Sequence, residues 1–307
     1  MKKYYKDINT LRGAAALSVV CYHYFYHYFN VYQINGGYKL FAIGKYGVDI
    51  FFMISGFLIY PLIKKSTDWW GFLRERFIRL YPIYSIAVLL TFIIVILSGD
   101  NVRAVSFYDL LKNLLMFPSL LGGKFVDGSY WTLEIEWQFY FYSIFIMFLY
   151  KIKADKLMML SLLFFILCSN KTIALGGYYS YFYIGIYTYL IKIDKINFKV
   201  NFIGLFVSII ITLITAKYLI ITSMVLLLFI VLSLSDENLL PNSRILNFFA
   251  YISYPLYLIH QNIGYVLINN LKSYIGMPLS YLVTILMVVT MSYLIVVIYN
   301  KATNHLR

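Results

Sequence analysis

The 307-residue sequence is short of charge: 13% of its residues are Asp, Glu, Lys or Arg, while 62% are hydrophobic. A water-soluble fold at a mean hydropathy of +0.76 would need a largely apolar surface, which excludes that class. Acidic residues are the scarcer sign, 13 against 26 Lys and Arg. Cysteine is limited to Cys21 and Cys168, both inside apolar runs and in no paired motif, so they read as small packing residues. No polar stretch is long enough to be a separate soluble domain. The longest expected inner connection, residues 64–79, is about sixteen residues. Low-complexity segments, a convincing internal repeat and a secretory cleavage pattern after the first apolar run are all lacking. What remains is an all-α, polytopic transmembrane bundle, expected as one membrane-embedded domain over residues 1–307.

Apolar runs give about ten expected spans, at 11–31, 46–63, 80–98, 136–150, 157–170, 178–191, 200–216, 218–235, 246–268 and 279–300. With the N-terminus in the cytoplasm, both termini fall inside. That orientation puts 18 of the 26 basic residues on inner segments, as the positive-inside rule requires. The net charge of +13 is therefore a topology signal and gives no reason to invoke nucleic acid. The 99–135 connection is long and rich in Leu and Phe, so a short amphipathic or re-entrant piece is expected there. Gly122-Gly123 and Asp127-Gly128 mark turns ahead of the fourth span.

The first run, LRGAAALSVVCYHYFYHYFNV, spans a bilayer by length yet carries Arg12, His23 and His27. Arg12 and His23 are eleven positions apart, which returns a helix to within about 20° of the same face and separates them by about 16 Å along the axis. His23 then lies near mid-membrane, where an ionisable group is a functional candidate by default. A hydrogen bond across a helix interface is the plainer reading. Asp49, Glu136 and His260 fall at compatible depths, and a His beside a carboxylate is a common unit of acid–base chemistry. Metal binding by His23, His27 and Glu136 is a rival, with His27 as readily facing lipid headgroups. On the opposite side, Arg74, Arg76 and Arg79 lie near the level of Arg12. They are orientation signals, or forks suited to phosphate, with Tyr81-Pro82 expected to break or tilt the helix start. A phosphate-bearing donor reaching a membrane reaction centre and a proton-coupled transporter of an anionic or sugar substrate both suit this pattern.

Five stretches resemble, in order and at similar spacing, the motifs of the membrane acyltransferase-3 family. They are Arg12–x10–His23 with Asn9-Thr10-Leu11 before it, GVDIFFMISGFLI (47–59), RERFIRLYPIY (74–84), WTLEIEWQFY (131–140) and YISYPLYLIHQ (251–261). The resemblance implies an integral membrane O-acyltransferase with the catalytic histidine at His23 and Glu136 or Asp49 orienting it. Arg12, Arg74, Arg76 and Arg79 would serve the donor or its surroundings. Ser55, Trp131 and His260, inside three of these motifs, are expected with them on the substrate and donor side. The donor would be acyl-CoA, usually acetyl-CoA, and the acceptor a hydroxyl of a cell-surface or lipid-linked glycan. No permanently bound cofactor or metal is expected, and membrane lipids are the further partners expected. The expected location is the bacterial cytoplasmic membrane, as a multi-pass protein.

Two departures from the pattern stand out. Trp137 occupies a position where a second acidic residue is often found, so Glu136 carries that motif alone. The chain ends with its last apolar run, so the extracellular esterase-like domain of some members is not expected. His23 would act as general base on the sugar hydroxyl or as a transient acyl carrier.

Overall fold

The computed structural model describes residues 5–66, 68–152, 178–194 and 198–303. Among these residues every regular element is helical. In chain order they are α1 Tyr5–Tyr22, α2 Tyr28–Val31, α3 Gly47–Lys65, α4 Trp69–Ser98, α5 Phe107–Leu114, α6 Trp131–Lys151, α7 Tyr179–Tyr189, α8 Phe198–Thr215, α9 Leu219–Leu234 and α10 Arg244–Thr303. Nine of the ten expected runs coincide with helix, and the run at 157–170 lies outside the described residues. Four helical stretches, Lys39–Lys65, Trp69–Ser98, Phe198–Thr215 and Arg244–Thr303, are long and apolar enough to cross a membrane by length and composition.

Three boundaries differ from the sequence reading. The expected inner loop at 64–79 is mostly helix, because Asp68 caps α4: its carboxylate accepts from the Gly71 N–H at 2.7 Å. Pro82 does not break α4 but lies inside it. A proline deprives the carbonyl four residues back of its N–H partner. Here that carbonyl, Ile78 O, accepts from the Tyr299 hydroxyl at 3.0 Å, so the helix runs on. The ninth and tenth runs form one helical stretch, interrupted only at Gly276 with φ 73° and ψ 164°. Only glycine adopts that backbone readily, and Pro278 follows it.

The chain divides into two compact units. The first comprises Met1–Ala15, Lys45–Arg74 and Ile135–Asn247; the second comprises Ala16–Gly44, Glu75–Glu134 and Phe248–Arg307. In the first, α3 and α7 pack backbone to backbone. A Cβ on Gly56 would strike the Phe182 carbonyl, and one on Gly185 would strike the Met53 carbonyl. Small residues at a helix crossing permit this approach where lipid supplies no hydrophobic drive between helices. All residues of α7 are buried.

In the second unit α10 packs on the first apolar segment, where Gly264 leaves room for the Tyr24 ring and the Tyr24 hydroxyl donates to His260 O at 2.7 Å. The 99–135 connection contains α5, as the amphipathic reading expected, opened by a capping box between Ser106 and Asp109. Fully buried Asn113 donates to Asp109 O at 2.7 Å and Lys124 O at 2.8 Å, and accepts from the Val126 N–H at 3.1 Å. That amide pins the segment leading to Asp127.

Candidate active site

The residues His23–His27 form a π-helical turn, a widened coil that recurs at functional sites. It stacks the His23 and His27 rings edge to face with centroids 5.4 Å apart. From α10, His260 meets His23 with Nε2 3.0 Å from His23 Nδ1.

The surrounding acceptors assign both tautomers. His260 Nδ1 lies 2.8 Å from Tyr257 O and 3.1 Å from Leu256 O, and carbonyls only accept, so that nitrogen carries hydrogen. In the neutral ring His260 Nε2 is then an acceptor. His23 Nδ1 faces it and must donate; Val19 O, 2.9 Å from the same His23 nitrogen, requires the same hydrogen. His23 is therefore protonated on Nδ1 and carries a lone pair on Nε2. His260 is fully buried while His23 is half-buried, so the accessible ring of the pair is the one with the basic Nε2.

A polar shell surrounds the pair. His27 Nδ1 lies 2.8 Å from the Tyr265 hydroxyl, and the fully buried Tyr265 ring has its centroid 6.4 Å from that of His23. The Arg103 guanidinium sits 5.9 Å from the Tyr265 centroid, and its Nε donates to Asn262 Oδ1 at 2.8 Å. Asn262 donates its backbone N–H to Asp127 Oδ2 at 2.8 Å. Asp127 is fully buried; its other oxygen accepts from the Ser129 N–H at 2.8 Å and hydroxyl at 2.7 Å. Gly128 is glycine because a Cβ there would press on the Gln261 amide.

The first unit holds a separate pair of carboxylates. Glu136 Oε1 accepts from the Tyr140 hydroxyl and lies 3.4 Å from Ser55 Oγ, so two of the motif stretches meet there. Asp49 is buried, with the Tyr181 hydroxyl and the Lys45 ammonium as its polar neighbours. Of the arginines, Arg12 is half-buried, Arg74 and Arg79 are exposed, and Arg76 is buried and 3.8 Å from Glu75. Trp131 opens α6, half-buried.

The family model described as an acyltransferase domain matches residues 5–297 of the chain. The chain belongs to this acyltransferase family. Among curated relatives, acyltransferase MdmB of Streptomyces mycarofaciens is 28% identical over 142 residues, 44% of this chain and 37% of that protein. Peptidoglycan O-acetyltransferase OatA of Listeria monocytogenes is 28% identical over 158 residues, 45% of this chain and 23% of that protein. The match thus spans less than half the length of these curated relatives. No solved structure gives a significant match.

Within this acyltransferase chain, the structure joins His23 to His260, and Ser55 to Glu136. His27, which the sequence left free to face headgroups, is bonded to Tyr265. Sequence reasoning missed Arg103, Asp127, Asn262 and Tyr265. The one available signal was the polar run His260-Gln261-Asn262 inside an otherwise apolar stretch.

Proposed function

We propose that this protein is a membrane O-acyltransferase that moves an acyl group, acetyl in the first instance, from acyl-CoA to a hydroxyl of a cell-surface or lipid-linked glycan. Its setting is the bacterial cytoplasmic membrane, crossed about ten times with both termini inside; the distribution of basic residues supports that orientation. The observation that carries the reading is the His260–His23 hydrogen bond, which leaves the lone pair on His23 Nε2. In the transfer, Nε2 takes the proton of the sugar hydroxyl as its oxygen attacks the thioester carbonyl carbon. The C–S bond then breaks, and the departing thiolate takes the proton back from Nε2. The transient charge on His23 is shared through Nδ1–H with His260, and the Asp127 carboxylate is near enough to His260 to stabilise it. His260 and Val19 O thus hold His23 Nδ1, which makes His260 a positioning residue. Arg12, Arg74, Arg76 and Arg79, with Ser55 and Trp131, serve the donor; Glu136 and Asp49 are the carboxylates that assist the transfer.

The test is transfer of labelled acetyl from acetyl-CoA to membrane glycan, with protein level measured in parallel. His23→Ala should insert normally and lose about 10²–10⁴-fold in transfer, the range for a removed general base. His27→Ala should keep most of it, since Nε2 of His23 is untouched. Equal transfer by His23→Ala and wild type would sink the assignment. A stable acetyl label on wild type, absent from His23→Ala, would make Nε2 a nucleophilic carrier instead.

A further inference from the structure

Two cations are held along α10 beyond His260, each by an asparagine oxygen. Arg103 Nε donates to Asn262 Oδ1 at 2.8 Å, and Lys272 Nζ donates to Asn269 Oδ1 at 2.9 Å. Asn262 and Asn269 are seven residues apart on α10, two turns along one face and about 10 Å in rise. Each cation rests over a fully buried tyrosine ring: Arg103 at 5.9 Å from the Tyr265 centroid, Lys272 at 5.8 Å from that of Tyr28. Those two rings meet edge to face with centroids 5.6 Å apart, so the cations flank one buried aromatic pair. Tyr265 also reaches His27 through its hydroxyl, which joins that pair to the turn bearing His23.

An amide oxygen orients a cation without neutralising it. Neither Arg103 nor Lys272 has an ion pair among the described residues. Two carboxylates of the same unit are held by other donors. Asp100 accepts from the Tyr32 hydroxyl and from the N–H groups of Val102 and Arg103, and Asp127 from Ser129 and Asn262. The Arg103 fork is fixed through Nε, and its terminal nitrogens make no hydrogen bond to the described protein. A rigid guanidinium with unspent paired donors suits a carboxylate or phosphate. Both cations are half-buried, so the site is reachable.

We propose that Arg103 and Lys272 form an anion subsite for the acceptor, which therefore carries a carboxylate or phosphate in addition to the hydroxyl to be acylated. This rests on the acyl-transfer reading, so the decisive measurement is binding, which needs no turnover. Purified protein in detergent is titrated with glucuronic acid, glucose 1-phosphate and glucose, and thermal stabilisation is followed. Glucuronic acid or glucose 1-phosphate should stabilise wild type and glucose should not. Whichever acid acts identifies the anionic group. Arg103→Gln and Lys272→Gln should each weaken that binding roughly tenfold, the usual loss for a charge-assisted hydrogen bond, with Arg103→Lys intermediate. Lys272→Gln, on a different element, guards against a folding defect in the Arg103 variants. Equal stabilisation of wild type and the double variant, or none by either acid, overturns the subsite. If the binding contrast holds while wild type transfers no acetyl to any glycan, the subsite stands and the acyl-transfer reading falls.

Discussion

The two candidate clusters hold their ionisable groups by opposite means. Around His23, the second unit relies mainly on backbone groups: carbonyls set His260, and the N–H groups of Ser129 and Asn262, joined by the Ser129 hydroxyl, set Asp127. Around Glu136 and Asp49, the first unit uses side-chain hydroxyls, from Tyr140 and Ser55 for one and Tyr181 for the other. A backbone carbonyl cannot donate, so it fixes the proton of its partner for good. A hydroxyl rotates, and donates or accepts as the carboxylate changes state. The histidine cluster is therefore built for one resting tautomer, while the hydroxyls of the carboxylate cluster can serve either state of their partner.

Replacing His260 should break the first pattern with the larger effect. His260→Phe removes the acceptor that fixes the proton on His23 Nδ1, leaving Val19 O alone for that role. Transfer should fall by about 10²-fold in kcat, with KM for acyl-CoA unchanged, because the loss is in orientation of the base and not in binding. His260→Gln, which offers both a donor and an acceptor, should restore part of it, and the pH profile of kcat should move only in the Phe variant. A Phe variant with unaltered kcat and pH profile would reduce the histidine pair to packing.

The second cluster should yield a smaller and graded loss. Glu136→Gln keeps the shape and the hydrogen bonds with Tyr140 and Ser55 but deletes the charge. Tyr140→Phe keeps the charge and deletes one hydrogen bond to it, worth about 1.5 kcal/mol at the lower end for a charged acceptor, or roughly tenfold. Initial rates at saturating acetyl-CoA should order as wild type, Tyr140→Phe, Glu136→Gln. If the Gln variant matches wild type, the carboxylate has no part in transfer.

Helix positions were legible because apolar runs have few alternatives in a bilayer. The end of α10's first half was not. Asn269, Asn270 and Lys272 read as a connection, yet helix continues to Gly276 because Asn269 and Lys272 turn inward to Tyr28. The break at Pro82 was misread for a similar reason, since its compensating partner Tyr299 lies 221 residues from Ile78. His23 was identifiable from its own helix. His260 was placed at a compatible depth, but its direct bond to His23 was not legible, because a contact across 237 residues leaves no periodicity to read. Asp127 reads as a turn marker, and it is one: Ser129 N–H closes the turn on Oδ1. Only the second oxygen, bonded to Asn262, shows the longer-range use. The arginine motif separated on burial alone, with Arg76 inside and Arg74 and Arg79 outside, a distinction that a list of basic residues does not carry.

The smallest effect expected is at the base of the segment that delivers Asp127. Asp109 accepts from the Lys124 N–H at 2.9 Å and from the Ser106 hydroxyl at 2.7 Å, and these donors hold its carboxyl below the usual range, the Lys124 bond first. A carboxyl lowered in the folded state contributes its full stability above the unfolded value and loses it as pH falls through the folded one. The hold of Asp109 on residue 124 should therefore be intact at neutral pH and fail only in acid. Asp109→Asn should mimic the acid state at every pH, since one amide oxygen remains to accept. Amide hydrogen exchange at Lys124 is the measurement: severalfold faster in the Asn variant at neutral pH, and equal in both proteins once Asp109 is protonated. Val126 N–H, which is bonded to Asn113, should exchange at the same rate in both. Faster exchange at Val126 as well would mean that the fixed geometry around Asp127 depends on this exposed capping box, and the contrast between backbone-held and hydroxyl-held clusters would be weaker than their hydrogen bonds suggest.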